Sequence, residues 1–307
     1  MDRSIDKWPA PDGALDETDF VREPAASILN LAEGSGPDIF VAGSGSTNHL
    51  GTVFGGRLLA QSLCAAVRTI EDMPLTSLHA YFIAPGHTGR PLEYRVTRLR
   101  DSRRFANRQV TAHQEGRLVF MLLCQFHAPE DSFAHQAAPM PAVPPPESLV
   151  PVQHYVRYHQ AELNAAAVHN FAGALPVELR PVAPDTYFKS RPQEPMRDFW
   201  FRLPSADALA DPRLHQCLLA FASDYWLAGV SAVPHEFPTN SRALLISSLD
   251  HALWFHGPAR SDQWLLHHTK SPSAGEGVGF ATGQIFDRTG RLVASTAQEC
   301  LLRRLEN

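Results

Sequence analysis

Asp224 stands where a carboxylate is hard to keep. It falls within residues 214–230, whose apolar spacing predicts a helix with too little polar surface for solvent, and Ala222, Leu227 and Ala228 around it carry no opposite charge. A carboxylate in such a run costs free energy unless it is paired, hydrogen-bonded or in contact with a pocket. Facing a pocket, it could act as a general base on a water molecule. Bonded to a local hydroxyl such as Ser223 or Tyr225, it would be a structural helix residue. The residue types alone leave both readings open.

Other candidate chemistries fail on spacing. His267 and His268 are adjacent, and adjacent strand residues point to opposite faces, so they cannot share one ion. His251 and His256 lie in one segment, but no His-Glu-x-x-His pair accompanies them, and Asp250 with His251 reads as a structural pair within a strand. No metal and no cofactor are expected. There is no Gly-x-Ser-x-Gly elbow and no Walker sequence, and Gly275, Gly277 and Gly279 have the spacing of a loop rather than of a dinucleotide fingerprint. Arg98, Arg100, Arg103, Arg104 and Arg108 form a basic cluster that could hold phosphates or be a solvated loop face.

These side chains must be positioned by a chain of 307 residues, comfortable for two domains. With 44% apolar and 19% charged residues and a net charge of -5, it reads as a soluble globular protein with no nucleic-acid partner. Four scattered cysteines, Cys64, Cys124, Cys217 and Cys300, suit a reducing compartment. An acidic N-terminus, the lack of an apolar run long enough to span a bilayer, and a C-terminus without Ser-Lys-Leu make the expected location cytoplasmic.

The chain is written twice. Residues 129–151 are rich in proline and predict an extended, unpacked linker. Before it, Gly55-Gly56 precedes an apolar helical run over 58–67; after it, the 214–230 run is the counterpart. Each helix is followed by a strand-like segment opening with Ser-Leu, at Ser77-Leu78 and Ser248-Leu249. Each half then has a Gly-Arg-Leu-Val sequence, at 116–119 and 290–293, leading into a strand over 120–126 or 294–302. One buried helix followed by several antiparallel strands predicts an α+β fold of two fused hotdog domains, each a curved sheet around a central helix. The expected division is an N-terminal extension over 1–48, hotdog domains over 49–128 and 152–307, and the linker over 129–151.

At this point the sequence resembles the acyl-CoA thioesterase II family of bacterial and peroxisomal enzymes. The first half carries Val53-Phe54-Gly55-Gly56 with Ala60-Gln61, Ser77-Leu78-His79-Ala80-Tyr81-Phe82, Pro91-Leu92-Glu93-Tyr94 and Leu99 to Phe105. The second carries Phe221-Ala222-Ser223-Asp224-Tyr225, Ser248-Leu249-Asp250-His251 with Trp254-Phe255-His256, Trp264-Leu265-Leu266 and Gln298-Glu299. The matches cover most of residues 50–127 and 197–303; residues 1–48 match poorly.

The resemblance implies hydrolysis of a medium- or long-chain fatty acyl-CoA by an activated water, without metal or covalent acyl-enzyme. Carried over residue by residue, it assigns Asp224, Ser248 and Gln298 to hold that water. The two neutral side chains can orient it by donating and accepting. Hotdog enzymes commonly place the oxyanion at a helix N-terminus, which makes Gly55 and Gly56 candidates, with Gln61 nearby as a further polar group or a structural amide. A homodimer or larger homo-oligomer is expected by analogy. Gly257 replaces the arginine common after Trp-Phe-His, and Cys300 replaces the glycine common after Gln-Glu. Two other readings are a hotdog hydratase or dehydratase, which would leave the thioester intact, and a silent acyl-binding protein.

Overall fold

The computed structural model describes residues 23–45, 51–189, 192–235 and 243–305. A short helix α1 (Ala25–Ile28) and strands β1 (Ala32–Glu33) and β2 (Ile39–Ala42) precede the long helix α2 (Gly55–Val67). Strands β3 (Leu75–Phe82), β4 (Leu92–Asp101), β5 (Phe105–Gln114) and β6 (Arg117–His127) complete the first half. After the proline-rich segment come α3 (Val152–Tyr158), α4 (Ala165–Phe171), β7 (Glu178–Pro181), α5 (Asp185–Phe188) and β8 (Met196–Arg202). Helix α6 (Pro212–Ser223) is followed by β9 (Leu244–Ser248), β10 (Asp250–Phe255), β11 (Leu265–Gly275), β12 (Val278–Asp287) and β13 (Leu292–Arg304).

The strands form one sheet in the order β1-β2-β4-β5-β6-β3-β10-β13-β12-β11-β8-β7, with β9 on β13. Each half therefore repeats the order of the other, and the halves join where β3 pairs antiparallel with β10, Leu78 opposite Leu253. Burial alternates residue by residue along β5 and along β12 as far as Ile285, so each has one face on the core. The hairpins β5–β6 and β11–β12 turn on the same dipeptide, Glu115-Gly116 and Glu276-Gly277, with all four residues at positive φ (52°, 79°, 54° and 79°). That is a two-residue turn whose twist matches the strands it joins.

Helix α2 is buried from Gly56 to Val67, because it lies between its own sheet and α6. The two helices run antiparallel. Near the start of α6, Arg213 Nη1 donates to the carbonyl of Ile70 (2.8 Å), just beyond α2, and Gln216 exchanges hydrogen bonds with the backbone of Leu75. At the other end the N-terminus of α2 meets the C-terminus of α6 so closely that a methyl on Gly56 would run into the carbonyl of Phe221. Glycine lets the backbones approach there.

The helix expected over 214–230 stops at Ser223, with Asp224 as its C-cap. Trp226 has φ +61°, and a 3₁₀ turn over Ala228–Ala232 follows. A left-handed tryptophan is costly and persists only where packing fixes it. Trp226 is held by Phe171, Tyr187 and Phe199 at ring-centroid distances of 5.4, 4.4 and 5.0 Å. Two of these rings belong to the 152–188 segment, whose short helices and strand the sequence did not reveal.

The 129–151 segment is extended but not unpacked. Ala138, Met140, Val143 and Leu149 cover Trp200, Trp264, Leu266 and Phe286 on the outer face of the second half, and Trp200 Nε1 donates to Pro144 O (2.9 Å). Residues 23–45, within the expected extension, add β2 to the first half's sheet beside β4, and Glu23 pairs with the buried Arg57 of α2.

Trp226→Ala is expected to lower stability by about 3–5 kcal/mol, as for other large buried aromatic truncations. Chemical denaturation checks this; a loss below about 1 kcal/mol would show that the cluster does not hold the reversal after α6.

Candidate active site

Asp224 ends α6 and points its carboxylate at the start of α2. Its side chain is 5% exposed. Oδ1 accepts a hydrogen bond from Gln298 Nε2 at 3.0 Å, and the backbone N–H of Gly56 also donates to the carboxylate. A methyl on Gly55 would stand 2.6 Å from Oδ2, so only glycine leaves the carboxylate its place. Helix α2 has no side-chain cap of its own, its N-cap being Phe54, so the carboxylate of one helix caps the other. The positive end of the α2 dipole favours a negative charge there.

The surroundings are otherwise apolar. Phe54 packs on Phe221 and Tyr225 (5.3 and 4.7 Å), and Phe82 lies against Gly55. Burial raises the Asp224 pKa above its ordinary value of 3.8, opposed by the hydrogen bonds from Gln298 and Gly56.

Gln298 lies on the inner face of β13. Pairing of Ala252 with Ala297 sets the preceding His251 beside the following Gln298, both buried. His251 Nδ1 is 3.9 Å from Asp224 Oδ1, and its Nε2 is 3.0 Å from Ser223 Oγ. Burial pushes the His251 pKa down to about 3, so the imidazole is neutral. Asp250 and His251, expected as a structural pair, are separated by strand alternation: Asp250 Oδ1 instead accepts from the backbone N–H of Glu299 (2.6 Å). The same alternation, applied along 250–255, would have pointed His251 inward.

Ser248 sits opposite Cys300 across β9 and β13, on the face that carries Gln298 and one row beyond it. The structure thus brings Asp224 and Gln298 into contact and places Ser248 on the same wall, without a hydrogen bond from its hydroxyl to either among the described residues. Gln61 is tied elsewhere. Its Nε2 donates to the carbonyls of Ile28 and Gly43 (3.1 and 3.3 Å) and its Oε1 accepts from Tyr94 (2.7 Å), so both amide hydrogens are committed.

His267 turns inward to Thr296 (3.2 Å) and His268 outward to Asp198 (2.7 Å), on opposite faces. In the arginine cluster, Arg108 is buried and bonded to Thr69, Asp101 and the carbonyl of Arg100, so it is neither a loop-face residue nor free for phosphate. A cavity of about 430 Å³ opens at the far end of the helix pair, among Leu29, Cys64, Arg68 and Leu214. There Arg68 is the C-cap of α2, the position Asp224 holds on α6.

Two halves with the same strand order, each with a buried helix, joined through a continuous antiparallel sheet, define a double hotdog. Residues 44–127 match the model of the acyl-CoA thioesterase N-terminal domain, and residues 135–302 that of the C-terminal domain. Acyl-coenzyme A thioesterase 8 of Mus musculus is 34% identical over 82% of this chain and 80% of its own. Acyl-CoA thioesterase 2 of Haemophilus influenzae is 34% identical over 84% and 91%. The crystal structure of acyl-CoA thioesterase II TesB2 from Mycobacterium marinum aligns with a TM-score of 0.73 at 34% identity, covering 92% of this chain and 99% of that one. The chain belongs to the acyl-CoA thioesterase II family. Among the described residues, no helix is long and apolar enough to cross a membrane.

A carboxyl whose pKa is raised on folding contributes most favourably below its ordinary pKa, and that contribution is lost as pH rises through the folded-state value. Asp224→Asn removes the loss. The variant is expected to melt at or above the wild-type temperature at neutral pH, with the difference shrinking as the pH is lowered; a lower melting temperature at neutral pH would contradict the assignment of burial as the dominant effect.

Proposed function

We propose that Asp224 is the general base of acyl-CoA thioester hydrolysis. The observation that carries the reading is a buried carboxylate, fixed by Gln298 and the first turn of α2, with a pKa raised by burial. A stronger base is a better acceptor for the proton of an attacking water, provided it is ionised at the working pH. In the reaction, the water oxygen bonds to the thioester carbonyl carbon as its proton passes to Asp224. The tetrahedral intermediate then expels the CoA thiolate, which takes that proton, leaving a carboxylic acid and CoA.

Gln298 holds the base. The hydroxyl of Ser248, on the same wall, is the second group we assign to the water. Because the Gly56 N–H already serves Asp224, we assign the oxyanion to the neighbouring N–H of Gly55, at the positive end of α2. The acyl group we assign is a medium or long fatty chain, supported by the aromatic side chains of Phe54, Phe82 and Tyr225 around the carboxylate. We also assign one active site per chain. Arg68 occupies the position of Asp224 in the first half, and in the Ser-Leu segment Ala80 stands where His251 stands in the second.

Asp224→Asn is expected to keep acyl-CoA binding but to lower kcat by at least about 10²-fold, the lower range for general-base catalysis. Free-thiol release from medium- and long-chain acyl-CoA measures this; the protein's own four cysteines are buried. Retention of half the wild-type rate would contradict a single site, and retention of the full rate would contradict the base. In wild type, kcat/KM is expected to rise with pH along an acid limb centred above 3.8, because Asp224 must lose its proton to act and its pKa is raised.

A further inference from the structure

Asp224 must change state in every turnover. As a carboxylate it is served by two donors, Gln298 Nε2 and the Gly56 N–H. Once it is protonated and the water oxygen has bonded to the acyl carbon, it carries a hydroxyl hydrogen in a buried site, and that hydrogen needs an acceptor. Neither donor can supply one.

His251 can. Ser223 Oγ donates its single hydrogen to the carbonyl of Ala220 (2.9 Å), so the Ser223 oxygen faces His251 Nε2 as an acceptor and the imidazole proton belongs on Nε2. Nδ1 is then a bare lone pair. It is fully buried, has no hydrogen-bond partner among the described residues, and lies 3.9 Å from Asp224 Oδ1, about 1 Å beyond hydrogen-bond distance. Gln298 Oε1 is another buried acceptor without a partner among the described residues, but the amide turns its Nε2 toward Oδ1 and Oε1 lies on the other branch.

Resting on the reading of Asp224 as the base, we infer that His251 is a positioning residue, accepting the hydroxyl hydrogen of Asp224 through Nδ1 whenever the carboxyl is protonated. It takes no proton itself. The lone pair opposes the ionised carboxylate and welcomes the protonated one, so it raises the basicity of Asp224 without adding a charge. Ser223, through Ala220, keeps the imidazole in the tautomer that this requires.

The groups facing the pair are few. Toward Asp224 they are the Gly56 N–H from α2, Gln298 from β13, His251 from β10, and Ser223 and Tyr225 beside it; Arg57, whose charge is felt at Tyr225, is paired with Glu23. Toward His251 the further titratable group is His267 of β11, itself bonded to Thr296 and held neutral by burial. Burial holds the His251 and His267 pKa values low and the Tyr225 hydroxyl high, so these three do not mimic a change in Asp224.

Two substitutions separate this role from a structural one. In His251→Asn the amide oxygen can occupy the place of Nδ1, whereas in His251→Gln the longer amide can keep the bond to Ser223 but leaves no acceptor beside Asp224. Acyl-CoA hydrolysis followed by thiol release across pH is expected to show the acid limb of kcat/KM near its wild-type position in His251→Asn. In His251→Gln it should lie about one pH unit lower, with kcat reduced about tenfold. Ser223→Ala, which frees the tautomer, should shift the limb in the same direction, and it provides the test should His251→Gln not fold. A wild-type limb in both His251→Gln and Ser223→Ala, or a limb displaced as far in His251→Asn as in His251→Gln, would overturn the inference. Failure of the base reading looks different: Asp224→Asn would then hydrolyse acyl-CoA at the wild-type rate.

Discussion

The structure depends on one meeting of helix ends. The first turn of α2 has free N–H groups and no side chain of its own to cap them, and the last turn of α6 delivers Asp224 to that place. A carboxylate at the C-terminus of its own helix is at the unfavourable end of that dipole; at the N-terminus of the neighbouring helix it is at the favourable end. Antiparallel packing of α2 and α6 brings these ends together and leaves a buried charge with two donors instead of none. The free energy of burial is not fully offset, and the remainder is what makes Asp224 a stronger base than an exposed aspartate.

Several features far apart in sequence serve that meeting. Glycines at 55 and 56 let the carboxylate and the carbonyl of Phe221 approach the α2 backbone. The aromatic cluster around Trp226 forces the chain to reverse immediately after Asp224, which keeps the carboxylate at a helix end instead of within a helix. The β10–β13 pairing places Gln298 and His251 side by side beneath it. The first half supplies the helix N-terminus and the second supplies the side chains, so neither half alone could form the site. That division also explains why the duplicated chain can carry Arg68 where its repeat carries Asp224.

Much of this was legible in the residues. The buried helix of the first half and the long strands of both halves follow from apolar spacing, and the repeated order of elements fixes the double hotdog. Asp224 stands out because no opposite charge lies near it in the apolar run, and its partners lie 74 residues away in Gln298 and on the other helix at Gly56. What sequence could not show was set by tertiary packing. Residues 225–230 are apolar enough to extend the helix, and only the rings around Trp226 turn the chain away. The prolines of 129–151 signal extended chain, but not the tryptophans that this segment covers. Gln61 lies close enough to Gly55-Gly56 in sequence to be expected at the site, yet its amide hydrogens bind two carbonyls of residues 23–45, a contact no local pattern records.

The central claim is that Asp224 removes a proton from water and never forms a bond to the acyl group. Single-turnover hydrolysis with excess enzyme in ¹⁸O-labelled water tests it directly. One ¹⁸O atom is expected in the released carboxylic acid and none in the side chain of Asp224; acid released without label, with ¹⁸O found in Asp224, would show a covalent acyl-aspartyl intermediate and contradict general-base catalysis.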